Sequence, residues 1–392
     1  MTKSSDVVIV GGGVMGCAVA YFLAADPGFT GSVLVVERDP SYERCATTRS
    51  WGGIRQQFST RENILMSLFG IAFVRDAAEV LAVDGEGPDL AFREHGYLFL
   101  ASPAGVEGLR ANHDLQSALG AKGEFMKADA LSARFPWLSN DGIGAAVFGA
   151  ADEGWIDPSA LMHGFRRKAR SLGVAFLSDE AVAIACEKGR VQSVTLAEAG
   201  EIACGVLVNA AGPQAGAVAN LAGIALPVGP RKRMSYVFDC RTEIENMPLT
   251  IDPSGVACRP EGGQYIAIVS PPEEQDRDCE DLKEDYTIFE EVIWPTLARR
   301  IPAFEAIKLS GAWAGHYDYN SFDQNAILGE HPEIGGFYFC NGFSGHGLQQ
   351  SPAAGRATAE LIAKGGYQSI DLSAFGYQRL LDGRPLREAN VV

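Results

Sequence analysis

Glycines 11, 13 and 16 fall in the spacing G-x-G-x-x-G, and an acid, Glu37, follows 21 residues after the third of them. Each position suits one task of a dinucleotide site. Gly11 allows a tight turn, Gly13 lets backbone approach a pyrophosphate, and Gly16 lets a helix pack closely on the preceding strand. Val14 and Met15 open that helix, whose free N–H groups and positive dipole end face the phosphates. A carboxylate at Glu37 can accept the hydrogen bonds of a ribose diol. After Arg38 the chain does not continue as another strand–helix–strand unit but becomes polar as far as Trp51. An extended FAD needs small hydroxyl and glycine residues along its ribityl chain. Thr47, Thr48, Arg49, Ser50 and Gly53 have that character, which favours FAD over NAD; a plain surface loop is the alternative.

Two later stretches extend this set. Val206-Leu-Val-Asn-Ala-Ala-Gly-Pro213 is an apolar strand ending in small residues. Ala211 and Gly212 there can pass close to a cofactor, or simply make a tight turn. Asn341-Gly-Phe-Ser-Gly-His-Gly347 opens a helix that runs to Lys364. Gly342, Gly345, His346, Gly347 and Leu348 would aim its N–H groups at something electron-rich, and the N1–C2=O edge of a reduced flavin is the natural object. Val182, on an intervening strand, completes the expected cofactor contacts.

The elements that must position these residues are legible in outline. Apolar strands at Asp6–Val10 and Ser32–Glu37 flank the first glycine turn. Ser59-Thr-Arg-Glu62 reads as a capping box, followed by a helix with Leu65, Leu68, Phe69, Ala72 and Phe73 on one face. Asp157-Pro158 is an N-cap with proline in the first turn. Pro227–Asp239 and Val256–Ser270 alternate like antiparallel strands and suggest a sheet roofing a pocket. Glu280–Arg300 reads as a helix interrupted at Pro295, and the charges from Glu273 to Glu291 as a solvated face. The fold class is α/β (α+β), a Rossmann FAD lobe with a second lobe built on a mixed, largely antiparallel sheet. The FAD lobe is discontinuous, over 1–90, 150–225 and 310–392, and the substrate lobe takes 91–149 and 226–309.

Composition narrows the partners. The chain has 392 residues, 47% hydrophobic and 21% charged, with a formal net charge of −16. That is an ordinary globular composition, and its charge repels nucleic acid and anionic lipid. Eight cysteines are scattered without C-x-x-C spacing, so reduced thiols, a cytoplasmic setting and no metal site are expected. The nearly uncharged run from Val7 to Ala25 raises a membrane segment as an alternative; three consecutive glycines and Asp6 speak against it.

Taken together, Gly11–Gly16, Glu37, Val208–Gly212 and Gly342–Gly347 resemble the D-amino-acid oxidase superfamily, which includes glycine and sarcosine oxidases and dimethylglycine dehydrogenases. The resemblance is strongest to the FAD-dependent oxidoreductase domain proteins. It rests on Gly52-Gly-Ile-Arg-Gln-Gln-Phe58, Asp152-Glu-Gly-Trp155, Pro230-Arg-Lys-Arg233, Trp313-Ala-Gly315, Phe322-Asp-Gln-Asn325 and Gly342-Phe-Ser-Gly-His-Gly-Leu-Gln-Gln350. It implies a glutathione-reductase-like FAD lobe and oxidation of an amine or amino acid by hydride transfer to flavin. Arg55 falls where sarcosine oxidases clamp the substrate carboxylate, and Arg233 where some amino-acid dehydrogenases of the family do so. Gln349 replaces a lysine of the oxidase branch, Tyr265 is expected at the position of its oxygen-activating lysine, and its flavin-tethering cysteine falls at Gly315 or His316. Non-covalent FAD is therefore expected, with His316 the residue through which a histidyl link could form. A quinone or an electron-transfer flavoprotein is the expected acceptor, and self-association is compatible with the sequence. The alternatives are oxidation of a 2-hydroxy acid or glycerol phosphate, and a flavin-binding respiratory-chain assembly protein without turnover.

Overall fold

Val7–Val10 is buried on both faces in the computed structural model, which describes residues 3–389. A continuous apolar run in a covered parallel sheet must be so. It sits inside a six-stranded sheet ordered Ile327–Glu330, Phe337–Asn341, Val206–Asn209, Val7–Val10, Val33–Glu37, Ala175–Ser178. All neighbours run parallel except the first pair. The carboxyl ends of the central strands share one edge, the side where open parallel sheets receive their ligands.

The helix Val14–Ala25 is buried on nearly every side, against the helices Gly347–Lys364 and Pro158–Ser171. A helix apolar all round belongs in a core, which accounts for the uncharged run. Among the described residues no helix is long and apolar enough to cross a membrane. Small residues let the crossing close: a Cβ at Gly355 would come within 2.6 Å of the Ala18 Cβ. Pro158–Ser171 starts as expected, Asp157 accepting from the N–H groups of Ser159 and Ala160 at 2.8 and 3.0 Å.

The capping box at Ser59–Glu62 is not made. The Thr60 side chain does not cap the helix Arg61–Val80; instead Glu388 accepts from the N–H groups of Ser59 and Thr60 at 2.6 and 3.1 Å. A carboxylate with two oxygens is the stronger acceptor, and one more than 300 residues away cannot be anticipated from local spacing.

The second large sheet has eight strands, ordered Ile307–Asn320, Val228–Cys240, Gln264–Ile268, Ala257–Glu261, Leu249–Ile251, Tyr97–Ala101, Ala145–Gly149, Glu124–Lys127. Its two longest strands pair antiparallel along their whole length. Residues 310–320, grouped by sequence with the FAD lobe, thus form part of the edge strand of this sheet. One face buries Met234, Tyr236, Phe238 and Phe304; the other looks toward the parallel sheet. The helix expected over Glu280–Arg300 starts later, with a π-turn at Phe289–Ile293 leading into Trp294–Arg300. The irregularity expected at Pro295 is present as that wider turn, which lies just before the proline, whose missing N–H cannot continue a regular ladder. The acidic segment before it is solvated as expected but is an extended strap and not a helix; Asp276 is drawn in to pair with Arg233, while Asp278 and Asp281 pair with Arg231 and Lys232 at the surface.

Candidate active site

A cavity of about 480 Å³ runs from the carboxyl edge of the parallel sheet to the facing side of the antiparallel one. Its first part is shaped by bare backbone. Gly11 has φ +104°, and a Cβ there would run into the Ala210 carbonyl. A Cβ at Gly16 would strike the Gly11 carbonyl, so its task is packing behind the wall. Gly13 differs: a Cβ would merely touch Thr47 Oγ1 and Cys45 Sγ at 3.4 and 3.5 Å. The space above it belongs to the cavity. Thr47 Oγ1 accepts from the Val14 N–H at 3.2 Å, and Glu37 accepts from the N–H groups of Gly12 and Asp39 at 2.7 and 2.8 Å. Both line the cavity, as do Met15, Arg38, Ser50, Gly53, Ala211 and Gly212. Open backbone at a helix N-terminus, an acid at the diol position and a cavity continuing past Ser50 fit an extended FAD.

Arg49 also faces this space but works as a strut. Its guanidinium donates to the carbonyls of Glu43 and Ala314 at 2.6 and 2.9 Å, and Trp313 Nε1 donates to the Arg49 carbonyl at 3.1 Å. The cofactor loop is thereby bolted to the edge strand of the second sheet.

The glycine loop 341–347 forms the next section of wall. Asp318 Oδ2 accepts from the Phe343 N–H at 3.0 Å, and burial pushes this carboxyl up to about 6. Gly345, at φ +101°, lies under the Tyr317 ring, where a Cβ would meet Tyr317 Cε2 at 2.5 Å. Gly345, His346, Gly347 and Leu348 line the cavity, whereas Gly342 makes its turn behind it at φ +75°.

At the far end lies Arg55, buried and facing the cavity. Its N–H donates to Gln349 Oε1 at 2.7 Å, and its guanidinium donates to the Gln57 carbonyl at 2.5 Å and to His346 Nε2 at 3.1 Å. It also stacks over Phe58 at 4.0 Å. Arginine only donates, so His346 Nε2 accepts and the ring is the neutral Nδ1–H tautomer. Burial and the Arg55 charge hold it well below its ordinary range. Beneath them, Glu153 accepts from the Gln56 N–H at 2.6 Å and Gln57 Nε2 at 2.7 Å. Burial raises its carboxyl to about 8, against the pull of those donors and Arg55. Tyr97 and Tyr317 complete this end with Arg233, which is ion-paired to Asp276 at 2.8 Å. Burial raises the Tyr317 hydroxyl, so it stays protonated.

Three expected site residues are elsewhere. Tyr265 is on the core side of its strand, its ring 5.6 Å from that of Phe238 and its hydroxyl accepting from the Ile244 N–H at 2.9 Å. Ile268 and Ala257 face the cavity instead. Val182 is 46% exposed, and it is Ala181 that lines the wall. The Thr48 hydroxyl turns back to the Tyr42 carbonyl at 2.6 Å. In the other direction, sequence reading assigned no role to Tyr97, Tyr317, Glu153 or Asp276. Glu153 and Tyr317 lay in or beside quoted sequence words but carried no spacing signal; Tyr97 and Asp276 had none.

His316 reaches the cavity with Nε2 3.2 Å from the Asp281 carbonyl, and Gly315 offers no side chain. With that nitrogen occupied, acid precipitation is expected to release the flavin into the supernatant; colour retained in the pellet would show a covalent link through His316.

The profile of the family described as FAD dependent oxidoreductase, DAO, matches residues 6–361. FAD-dependent oxidoreductase domain-containing protein 1 of Xenopus laevis is 44% identical over 100% of this chain and 85% of its own length. Human mitochondrial sarcosine dehydrogenase is 25% identical over 93% of this chain and 40% of its own length. The crystal structure of L-proline dehydrogenase from P. horikoshii superposes with a TM-score of 0.85, at 25% identity, covering 98% of this chain and 100% of that one.

Proposed function

Because the chain belongs to the DAO family of FAD-dependent oxidoreductases, we propose that it oxidises the C–N bond of an amino acid or N-alkyl amino acid, acting as a dehydrogenase. Bound FAD supplies the two-electron acceptor for hydride leaving the substrate α-carbon. The observation that carries this reading is the Arg55 guanidinium, buried at the end of the cavity beyond the glycine loop. A planar fork held out of bulk water suits a carboxylate.

Neutral His346 accepts from Arg55 and fixes its orientation without adding a second charge. Gln349 holds the Arg55 backbone. Leu249, Ile251, Ala257 and Ile268 make the opposite wall aliphatic and exclude water from the reacting carbon. Among the described residues none is placed as an obvious base, so an amine arriving neutral and oriented by its carboxylate is the mode of catalysis. The likeness to sarcosine dehydrogenase and L-proline dehydrogenase supports a secondary amine.

Reduced flavin is expected to react slowly with oxygen. An ammonium beside the ring would stabilise developing superoxide, and no lysine among the described residues lines the cavity. A quinone or an electron-transfer flavoprotein then takes the electrons. The test is anaerobic titration of the purified protein with amino acids, N-methyl amino acids and 2-hydroxy acids, following flavin bleaching, and then mixing with oxygen or a quinone. Bleaching by amines with fast quinone and slow oxygen reoxidation is expected. Bleaching by hydroxy acids alone, or by none, would refute the amine assignment, and peroxide formed as fast as quinone is reduced would refute the dehydrogenase assignment.

A further inference from the structure

Near Arg55 the eight-stranded sheet presents one row of apolar side chains that crosses four of its strands. Phe99 pairs in register with Ile251, Ile251 with Ala257, and Ala257 with Ile268. The row begins beside the guanidinium, where Arg55 Cζ is 5.3 Å from the centroid of the Phe99 ring. Neighbouring strands lie about 4.8 Å apart, so the row leads roughly 14 Å away from that point. Ile251, Ala257 and Ile268 all line the cavity. Ala257 is the short side chain among them and stands between the two isoleucines, which leaves a groove with Ile251 and Ile268 as its sides. Leu249, two residues before Ile251 and on the same face of its strand, lengthens one side.

Polar groups near the groove are turned to other tasks. Trp51 lines the cavity and packs against the cluster that holds Phe99, Leu249, Ile251 and Ala257. Its indole N–H donates to Ser235 Oγ at 2.8 Å, and its carbonyl accepts from Arg259 at 2.8 Å. With its donor used, the ring offers the cavity only carbon. Arg259, two residues beyond Ala257, is drawn to that carbonyl and to Glu261, and it does not line the cavity. A substrate without a side chain would leave these walls to water, whereas methylene or ring carbon laid against them removes both surfaces from water.

We infer that the groove over Ala257 is a subsite for an apolar substituent several carbons long, so that the site selects amino acids bulky and apolar at Cα or nitrogen over glycine and sarcosine. This rests on the reading of Arg55 as the carboxylate clamp, because the groove starts where the carboxylate would be held and leads away from it. Ala257 is then a specificity-determining residue through its small size, and Ile251 and Ile268 supply the contact.

The test uses FAD-loaded protein and non-reducing straight-chain carboxylates, acetate through hexanoate, with affinities read from flavin difference spectra. In the parent each methylene that enters the groove should tighten binding about fourfold, so hexanoate should bind at least about tenfold more tightly than acetate. Ala257→Leu, which puts a branched side chain between the isoleucines, should lower the hexanoate-to-acetate ratio about tenfold. Ile268→Thr, which sets a hydroxyl on the same wall, should lower it about threefold or more and serves if Ala257→Leu loses its FAD. A parent ratio that does not rise with chain length, or one that both variants leave unchanged, overturns the subsite, while acetate binding keeps the Arg55 clamp. A parent whose flavin no carboxylate perturbs removes the clamp and this subsite with it.

Discussion

Gly13→Val is expected to fold and to carry no FAD. Its backbone, at φ −67°, suits any residue, and a Cβ there makes ordinary contacts with Thr47 and Cys45. The branched methyls would project into the cavity where a pyrophosphate must approach the helix N-terminus. Purified protein should be colourless, with far-UV circular dichroism like that of the flavin-stripped parent. It should also lose whatever stability FAD confers, about 4 kcal/mol at a thousandfold excess over Kd. Gly16→Val is the contrast: its side chain would collide with the Gly11 carbonyl, so that variant should fail to accumulate as soluble protein. A yellow Gly13→Val with one flavin per chain would place the pyrophosphate somewhere other than this turn.

Arg55 variants should separate binding of cofactor from use of substrate. A charged hydrogen bond contributes about 1.5–3 kcal/mol, so Arg55→Lys, which replaces a fork by a point contact, should slow flavin reduction by about one to two orders of magnitude. Arg55→Ala should lose more. The reading to be distinguished from a clamp is a strut, since Arg55 also binds the Gln57 carbonyl and His346. A clamp predicts that Arg55→Ala keeps its FAD and melting temperature, loses reduction by amino acids, and is reduced by a descarboxy amine as readily as the parent. A colourless or unfolded Arg55→Ala would make the residue structural.

What could be read from the sequence was what short spacings encode. The Gly11–Gly16 turn and the Asp157 cap act on backbone within a few residues, and both are present; Glu37 stands at the end of the next strand, where it accepts from the Gly12 N–H. Tyr265 shows the limit. A strand places alternate residues on opposite faces, so a placement one residue out turns a cavity residue into a core one, and Tyr265 stacks on Phe238 while Ile268 faces the cavity. Val182 and Ala181 differ by the same parity. Tyr97 and Asp276 depend on pairings across the fold that no local pattern carries, and Glu388 reaches back to Ser59 from the far end of the chain.

The parallel sheet is stitched from segments that span nearly the whole chain. Val7–Val10 pairs with Val206–Asn209, which pairs with Phe337–Asn341, and the helix behind the glycine turn is covered by Gly347–Lys364. Chains emerge from the ribosome N-terminus first, at about 5–20 residues per second. The phosphate-binding turn is made in the first seconds, but its helix is covered only in part by Pro158–Ser171 until Gly347–Lys364 arrives. A complete cofactor wall therefore waits for a late segment, and until it arrives the nascent chain exposes one side of the apolar stretch Val14–Ala25, the stretch a chaperone would be called on to shield.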